Sequence, residues 1–568
     1  MRKYFEINLS TQSVDSKTLS GAELARAGRY LIAKTLLEEN VADVDPLSPE
    51  NPLIFSAGPF AGSNFSNGNR LSVGCKSPLT GGIKEANTGG TFGFALGQLE
   101  ISGITLRDAS PEWVVIRITK DHEITFESAE PYLGKGNFEA SALLHEKYGD
   151  KVSIALCGPV GEYQGLTAGI AFTDPEKRPV RLAARGGVGA VMGAKKVKAI
   201  VIDRNKMPPF EDRKKYMGTL KEYGKLLKEQ PVIENFGKLG TAMVGDFTNT
   251  VGGMPVRNFS SGQVKAPEDG PLEVGGQFIA QLNSSRGGET THACMPGCMI
   301  KCSNVYADEQ GEEICSPLEY ETIGLMGTNC GLNHPDQIAR VNHIANDLGV
   351  DSIETGAMIG VLMEAGVGEF GDEAFIKEVL GEMLTGSEKG RLYAQGTERV
   401  GKHFDVKRIP VIKKQALSAY DPRVIEITGV TMMLSAQGAD HTAGNMHSVD
   451  CTGKTTEEVT EMSLGAQKNS AAADSMGLCI FGRSVTETNS QLIVDAINAA
   501  FGCDLAPSFI LETGVETLKM EHAFNKQAGF DVDDDALPSF FYDEALAPSL
   551  KVARHSAVDT NKTRDMHL

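Results

Sequence analysis

The sequence has no excess of basic residues and no long apolar run. Asp and Glu number 74 against 55 Lys and Arg, which gives the 568 residues a formal net charge of −19. Nucleic acids and anionic membranes bind basic patches, so this balance argues against both as main partners. No apolar stretch approaches the roughly 18 residues that a membrane-spanning helix needs. Residues 1–6 lack the apolar core of a signal peptide, so we expect a cytoplasmic protein.

Glycine and cysteine stand out among the residues that are present. The sequence contains 63 glycines, a share well above the average of about 7%, which indicates many tight turns and close backbone approaches. It also contains 10 cysteines. Thiols stay reduced in a cytoplasm, where clustered cysteines are metal ligands or catalytic groups more often than disulfides.

The chain changes character near residues 207–209, where two prolines follow Met207. Before this point, short apolar runs separated by turn residues predict a mainly β region with one helix at residues 22–39. After it, the apolar spacing and the composition predict helices at residues 214–229, 335–348, 352–366, 372–385 and 515–527. A softer boundary falls near residue 410, and the polar tail from residue 551 is predicted to be mobile.

Two short segments resemble each other, at residues 346–351 and 474–479. Each places a glycine, Gly349 or Gly477, near the end of a predicted helix, where a left-handed C-cap favours glycine. One interpretation is that two helices share an ordinary cap. The other is that two equivalent loops hold two equivalent ligands.

The strongest local motif consists of Cys294, Cys298 and Cys302 in a loop with Pro296 and Gly297. Thiolates at this density favour an iron–sulfur cluster or zinc. The alternative is that the three cysteines bind no metal. The absence of a C-x2-C pair and of a histidine pair favours the cluster over zinc. A [4Fe–4S] cluster needs a fourth cysteine, and spacing leaves five candidates open: Cys315, Cys330, Cys451, Cys479 and Cys503.

Two glycine-rich segments, residues 69–90 and 181–193, contain arginines beside their glycines. Backbone NH groups in such loops can bind phosphate, but plain turns explain the same pattern. Neither segment matches a Walker loop or a dinucleotide fingerprint. For acid–base chemistry the candidates are residues 317–322 and 438–444, although isolated carboxylates and histidines are more often structural.

Segments along the whole chain, in matching order and at close to matching spacing, resemble the tungsten-dependent aldehyde:ferredoxin oxidoreductases. The matching segments are residues 5–11, 44–51, 76–81, 184–193, 294–302, 419–423 and 474–479. The resemblance implies an α+β fold in which an N-terminal β domain of two related sheets is followed by two mainly α-helical domains. A bis-pterin cofactor would lie between the β domain and the helical domains.

The resemblance also implies domain limits and cofactors. The β domain would span residues 1–207 and contact the pterins. Residues 208–410 would contain the cysteine loop and the first pterin loop, and residues 411–568 the second pterin loop and the fourth cluster cysteine. The implied cofactors are a tungsten bis-pterin, with molybdenum as the alternative metal, a [4Fe–4S] cluster, and a Mg²⁺ ion that bridges the pterin phosphates.

Site residues follow from the same resemblance. The cluster ligands would be Cys294, Cys298, Cys302 and Cys479, although this loop reads C-x3-C-x3-C where well-known members have C-x2-C-x3-C. Carbonyls near Asn87 and Leu182 would bind Mg²⁺. The implied pterin contacts are Arg70, Asn87, Gly89, Arg181, Leu182, Ala184, Arg185, Asn346, Val350, Asp351, Gln437, Asp474, Leu478 and Ile480.

The chain departs from the family pattern at four positions. Asn346 stands where a pterin-contacting aspartate is expected, and Gln437 and Ala443 stand at two basic positions. Arg340 replaces the glutamate that supports a mononuclear iron between subunits in one member. We therefore expect this protein to lack the mononuclear iron site. A homo-oligomer remains possible, but that iron gives no reason to expect one.

The implied reaction is oxidation of an aldehyde to a carboxylic acid. Glu321 and His441 would be the acid–base residues, with His441 bonded to the aldehyde oxygen and Glu321 accepting a proton. Electrons would pass through the cluster to ferredoxin or to an iron–sulfur partner subunit. The alternatives are a relative that reduces an aromatic thioester or oxidises a sugar, and a cluster-only electron-transfer subunit. Retention of Asp351 and Asp474 beside Arg70 and Arg185 argues against the last.

Overall fold

The N-terminal part of the protein is built from two six-stranded β-sheets. In the computed structural model, which describes residues 1–568, both sheets lie before residue 204. The first sheet contains β1 (Arg2–Asn8), β2 (Ser13–Leu19), β3 (Leu53–Ala57), β4 (Leu71–Lys76), β5 (Ile83–Thr88) and β6 (Ile101–Arg107). The second contains β7 (Val114–Ile118), β8 (Ile124–Ser128), β9 (Val152–Cys157), β10 (Ile170–Phe172), β11 (Arg181–Ala183) and β12 (Val197–Asp203).

The two sheets have the same topology. Their strand orders are β2-β1-β6-β3-β4-β5 and β8-β7-β12-β9-β10-β11. In the first sheet β1 and β6 are parallel and all other neighbours antiparallel, and in the second the same holds for β7 and β12. The predicted pair of related sheets is therefore confirmed.

The two sheets pack against each other around a shared apolar core. Strands β3 and β9 are buried at every residue, which explains why their sequences read as continuous apolar runs rather than as alternating ones. Aromatic rings from both sheets meet in this core. The Phe172 ring centroid lies 5.4 Å from that of Phe92 and 6.5 Å from that of Phe55.

Short helices connect the strands, and one prediction among them is wrong in detail. These helices are α1 (Gly28–Glu38), α2 (Phe92–Gln98), α3 (Asn137–Tyr148), α4 (Pro159–Glu162) and α5 (Val188–Ala194). The helix predicted at residues 22–39 is interrupted, because residues 21–25 form a separate 3₁₀ turn. At Gly28 the backbone takes a positive φ of 51° and passes so close to the Asp474 carbonyl that a side chain has no room.

The rest of the chain is mainly helical. The five predicted helices are present at Arg213–Lys228, Pro335–Leu348, Ser352–Glu364, Glu373–Thr385 and Ser508–Gln527, the last of which begins earlier than predicted. The helices at Thr456–Ser475 and Ser490–Phe501 had no predicted range, and the tail predicted to be mobile forms helix α22 (Ala557–His567). Asn561 in α22 donates to Asp535 at 2.9 Å, and its buried face holds the tail in place. The helices are α6 (Arg213–Lys228), α7 (Pro231–Leu239), α8 (Met243–Val251), α9 (Gly276–Ser285), α10 (Tyr320–Thr322), α11 (Pro335–Leu348), α12 (Ser352–Glu364), α13 (Glu373–Thr385), α14 (Glu388–Tyr393), α15 (Thr397–His403), α16 (Glu426–Leu434), α17 (Thr456–Ser475), α18 (Arg483–Thr486), α19 (Ser490–Phe501), α20 (Ser508–Gln527), α21 (Phe540–Asp543) and α22 (Ala557–His567).

Five short strands lie among these helices. They are β13 (Glu289–His292), β14 (Ser303–Ala307), β15 (Glu313–Cys315), β16 (Val411–Ile412) and β17 (Gln415–Ala416). Strands β13 and β14 pair and bracket the cysteine loop, so they fix where that loop starts and ends. None of the helices combines the length and the apolar character required to cross a membrane.

We expect Gly28→Ala to destabilise the protein more than Gly21→Ala. Both glycines have a φ of +51°, but a Cβ at Gly28 would lie 2.1 Å from the Asp474 carbonyl oxygen, whereas a Cβ at Gly21 would meet nothing within 4 Å. The steric clash should cost about 1–3 kcal/mol beyond the backbone strain that both variants share. Thermal unfolding measures the difference as a lower apparent Tm for Gly28→Ala. Equal losses in the two variants would contradict the close approach.

Candidate functional site

The two similar loops end two helices in the same way. Helix α11 ends at Leu348 and is followed by Gly349 at a φ of 71°, and α17 ends at Ser475 and is followed by Gly477 at a φ of 66°. The predicted left-handed glycines are therefore confirmed. A residue with a Cβ is disfavoured at this φ, which explains why both loops contain glycine.

Each loop is attached to a different sheet. In the first loop, Asp351 N–H donates to the Thr167 carbonyl at 2.9 Å, and Gly169 N–H donates back to the Gly349 carbonyl at 2.9 Å. These contacts join the loop to the segment that precedes β10. The loop thus extends the second sheet.

The second loop makes the corresponding contacts with the first sheet. Arg70 N–H donates to the Gly477 carbonyl at 3.1 Å, and Cys479 N–H donates to the Asn67 carbonyl at 2.8 Å. Both contacts involve the segment before β4. Since the sheets share one topology, the loops occupy equivalent places, which favours two equivalent ligand sites over a coincidence of helix caps.

A glycine–proline pair follows the strand beside each loop. A Cβ at Gly58, after β3, would lie 2.2 Å from the Met476 carbonyl oxygen. A Cβ at Gly158, after β9, would lie 2.2 Å from the Leu348 carbonyl oxygen. Only glycine permits this approach of sheet to loop, so each loop is held directly against a strand end.

The structure brings Cys479 to the three cysteines of the loop. Burial together with the charges of Cys294 and Cys479 raises the pKa of the Cys298 thiol to about 12, and Cys302 is affected in the same way. The other candidate ligands lie elsewhere: Cys315 contacts Asn342, Cys330 the Leu325 carbonyl, Cys451 the Val449 carbonyl and Cys503 the Asn498 amide. Two of the four cysteines, Cys298 and Cys302, are buried and the other two are partly exposed. Such a group suits a metal cluster, whose positive charge would offset the negative charge of the four thiolates.

Arg70 lies beside these thiols. Burial alone would lower the pKa of Arg70, but the charges of Cys479, Cys294 and two carboxylates raise it. Arg70 Nε also donates to Asn87 Oδ1. Gly89 is equally close, since a Cβ there would lie 3.1 Å from Cys294 Sγ. Three predicted contact residues, Arg70, Asn87 and Gly89, therefore adjoin the four cysteines.

Asp474 lies in a buried network of charges. Its carboxylate is 3.3 Å from Arg29 Nη1, and Arg29 also donates to both carboxylate oxygens of Glu521, at 2.6 and 2.8 Å. Burial and the neighbouring Glu85 raise the pKa of Asp474 to about 8, against the opposing charge of Arg29. Gln437 joins the network by donating to Glu521 at 2.7 Å.

Arg185 forms a second buried network at the first loop. Its Nε donates to Asp351 Oδ2 at 3.3 Å, and its Nη atoms donate to the Ala416 carbonyl at 2.6 Å and to Ser418 Oγ at 3.2 Å. Asp351 also caps α12 by accepting from Ile353 N–H at 2.9 Å. The predicted residues Arg185 and Asp351 thus contact each other directly.

The remaining residues predicted to contact the pterins differ in their burial and in their hydrogen-bond partners. Arg181 points toward Ser303 Oγ, to which it donates at 2.9 Å, and toward His292. Leu182 and Ala184 keep part of their surface accessible, as does Ile480, whereas Val350 and Leu478 are buried. Asn346 is buried; its backbone carbonyl accepts from Asn137 Nδ2 at 3.0 Å, and its own side-chain Nδ2 has no partner.

Glu321 and His441 lie next to each other. Glu321 Oε1 is 3.3 Å from His441 Nε2, and Glu321 Oε2 accepts from Ala419 N–H at 2.9 Å. Ser418 Oγ lies 2.8 Å from His441 Nδ1, which fixes the ring. Burial raises the pKa of Glu321, and the charges of His441 and Arg185 oppose this rise.

The helix that presents Glu321 is irregular. After α10 the chain forms a turn of π-helix at Ile323–Gly327, a form that is rare and often occurs at functional sites. Tyr420 packs beside the pair, its ring centroid 5.6 Å from that of His441. The side chains of His441 and Glu321 are 14% and 18% exposed, so a substrate could reach them while bulk water is mostly excluded.

Sequence reasoning missed several residues of the site. Arg29 and Glu521 lie almost 500 positions apart and carry no local motif, so only the fold reveals their pairing. Lys84 donates to Asp440 at 2.7 Å. Both residues lie in segments with a recognisable motif, residues 69–90 and 438–444, but neither motif predicts this ion pair. The repeated glycine–proline after an apolar run, at Gly58 and Gly158, was the one signal available in the sequence.

The donor set fits the implied cofactors. Buried polar atoms without a partner are rare in proteins. Two of them, Asn346 Nδ2 and Arg181 Nε, belong to residues that were predicted to contact the pterins. Arg70 and Asn87 likewise keep accessible surface although protein surrounds them. Asn346 and Arg181 thus each have a donor available for a polar ligand, and Arg70 offers accessible polar surface beside the thiols.

Comparison with known proteins identifies related chains over nearly the whole length. Models of the aldehyde ferredoxin oxidoreductase family match residues 4–204, as the N-terminal domain, and residues 218–566, as domains 2 and 3. The tungsten-containing aldehyde ferredoxin oxidoreductase of Pyrococcus furiosus is 31% identical over 96% of this chain and 92% of its own. That of Thermococcus kodakarensis is 30% identical over the same shares.

More distant relatives have other described activities. The WOR-like subunit of an aliphatic sulfonate oxidoreductase from Pyrococcus furiosus is 26% identical over 95% of this chain and 89% of its own. A solved structure, the active-site complex BamBC of benzoyl coenzyme A reductase with 1,5-dienoyl-CoA, superposes with a TM-score of 0.80. It is 19% identical and covers 97% of this chain and 93% of that one, which shows a shared fold.

We expect Cys479→Ser to lose a cluster that Cys503→Ser retains. Cys479 adjoins the three loop cysteines and Arg70. Cys503 is also partly exposed, but its thiol hydrogen-bonds Asn498 and a backbone carbonyl. Iron content and visible absorption of anaerobically purified protein report the loss from about four irons per chain. Full iron in Cys479→Ser would contradict the four-cysteine site.

Proposed function

Because the chain belongs to the aldehyde ferredoxin oxidoreductase family, we propose that it oxidises aldehydes to carboxylic acids at a tungsten bis-pterin centre. Electrons then leave through a [4Fe–4S] cluster to ferredoxin or to an iron–sulfur partner subunit. The observation that carries this proposal is the contact between Glu321 and His441, in a buried region whose loops are attached to both sheets. The family identity alone does not specify the substrate.

The residues that would hold the cofactors are those that the family resemblance implies, and the geometry supports several of them. Cys294, Cys298, Cys302 and Cys479 would bind the cluster, since their thiols converge. The loops at residues 346–351 and 474–480 would each hold one pterin, one against each sheet. Carbonyls near Asn87 and Leu182 would hold a Mg²⁺ ion, as the family resemblance implies. When bound, the tungsten centre supplies a Lewis acid and a two-electron acceptor.

His441 would orient the substrate. Ser418 lies at its Nδ1, so its Nε2 is directed toward Glu321 and the space beside Tyr420. From there Nε2 can hydrogen-bond the aldehyde oxygen and polarise the carbonyl. A fixed donor of this kind costs no reorganisation during the reaction.

Glu321 would accept a proton. Adding water to the aldehyde carbon requires removal of a proton, and the raised pKa of Glu321 makes its carboxylate a better base than an exposed one. The Ala419 N–H holds one carboxylate oxygen in place. The other oxygen is the one that faces His441 and the substrate space.

The metal content tests the proposal first. Anaerobically purified protein from cells supplied with tungstate and molybdate should contain about four irons and one tungsten per chain. A panel of aldehydes with a viologen acceptor then identifies the substrate class. Iron without either heavy metal would contradict the proposal and favour a cluster-only electron-transfer protein.

Glu321→Gln and His441→Asn should each lose most turnover while they retain metal and cluster. Removal of a positioned acid–base group typically costs 10²–10⁴-fold in kcat. The control is Glu309→Gln, an exposed carboxylate near the preceding strand, which should keep full activity.

The pH profile provides a second readout. The carboxylate of Glu321 is the active form, so kcat should fall as the pH drops through its raised pKa, above the ordinary glutamate range. This acid limb should disappear in the residual activity of Glu321→Gln. An unchanged kcat in both variants would refute the assigned roles.

A further inference from the structure

Helix α6 is a basic element in an acidic protein. It carries six basic residues and one acidic residue, Glu222, whereas the whole chain has a net charge of −19. Lys214, Lys221 and Lys228 recur every seven residues, so they form one stripe along the helix. All three are exposed and none makes an ion pair, in contrast to Lys215, which lies 3.7 Å from Asp495.

This helix packs against the cysteine loop. Gly224 lies on α6 between Lys221 and Lys228, and a Cβ there would be 3.0 Å from Met299 Sδ. Met299 directly follows Cys298 in the sequence. The lysine stripe therefore runs beside the loop that contains three of the four converging thiols.

Helix α7 holds the loop on a second side. A Cβ at Gly237 in α7 would lie 3.2 Å from the Ile300 carbonyl oxygen. The Thr291 hydroxyl donates to the Gly237 carbonyl at 2.8 Å. The loop is thus fixed between two helices, and its outer residues have a defined position relative to the stripe.

The outer residues of the loop reach the protein surface. Gly297, Met299 and Lys301 are exposed, while the adjacent Cys298 and Cys302 are 7% and 9% exposed. Met299, at 38%, is one of the few large apolar side chains that are exposed. An apolar centre with a charged rim is the usual anatomy of a protein interface, and here it lies one residue from buried thiols.

We propose that Met299, Lys301 and the lysine stripe of α6 form the docking site of a small acidic iron–sulfur protein that takes electrons from this chain. We call these residues the carrier surface. The proposal rests on the proposed function, in which the thiols hold a cluster. Oxidation of one aldehyde with one water to a carboxylate releases two electrons and three protons. A carrier that accepts one electron is therefore reduced twice per turnover.

Charge complementarity favours an acidic occupant. The chain as a whole repels an acidic protein, so a local basic stripe determines where such a protein can approach. Complementary charge mainly raises the association rate, and its effect weakens as salt screens it. The carrier surface places this attraction beside the loop that contains three of the four thiols.

The test compares two double charge reversals in the holoenzyme. Lys221→Glu with Lys228→Glu alters the carrier surface. Lys519→Glu with Lys526→Glu is the matched control, because these exposed lysines are also seven residues apart on one helix, α20. Each variant is assayed with a small acidic ferredoxin and with an uncharged quinone as acceptor, over a range of salt concentrations. Biolayer interferometry measures ferredoxin binding without turnover.

The carrier-surface variant should lose about ten-fold in kcat/KM for ferredoxin, with a flatter salt dependence and weaker binding, while quinone reduction stays unchanged. The control should match the wild type. Wild-type ferredoxin kinetics and binding in the carrier-surface variant would overturn the docking site. If the wild type oxidises no aldehyde with either acceptor, the proposed function fails. In that case, weaker ferredoxin binding by the carrier-surface variant alone would still support the surface, and unchanged binding would refute it.

Discussion

The structure depends on two places where the backbone of a sheet touches the backbone at the end of a helix. Gly58 meets the Met476 carbonyl and Gly158 meets the Leu348 carbonyl, each without room for a side chain. Because interiors are closely packed, these contacts leave the two loops little freedom to move relative to the strand ends. Asp351 follows Leu348 and Cys479 follows Met476 by three residues each, so these two contacts also determine where Asp351 and Cys479 lie. Residues predicted to hold ligands are thus placed by glycines, which have no side-chain chemistry of their own.

Buried charge is the second organising feature of the site. Isolated charges in a protein interior are costly, and here nearly every one has a partner, as in the pairs Arg29–Glu521, Lys84–Asp440 and Arg185–Asp351. Asp474 and Glu85 are compensated less fully, since they share the charge of Arg29 with Glu521, and both have raised pKa values. The imbalance lies next to Arg70 and the cysteine thiols, where a bound group can change the local charge.

Local patterns predicted a large part of this fold. The helix at Pro335–Leu348 and the glycine after it follow from apolar spacing and cap chemistry, which depend on near neighbours in sequence. The broken helix before Gly28 and the ordered tail were missed because distant contacts decide them, with the Asp474 carbonyl in one case and Asp535 in the other. The same distinction applies to the site. The cysteine loop is visible as a motif, but nothing local pairs Arg29 with Glu521 or selects Cys479 among five cysteines.

The separation of the site residues along the chain has a consequence for how the protein is made. Arg70 is synthesised early, the cysteine loop near the middle, Cys479 much later, and Glu521 within the last fifty or so residues. Domains generally fold as they leave the ribosome, from the N-terminus onward. The two sheets can therefore form during translation, but a complete site does not exist until nearly the whole chain has emerged. Cofactor delivery must follow translation, and a chain truncated before α20 would be an empty scaffold.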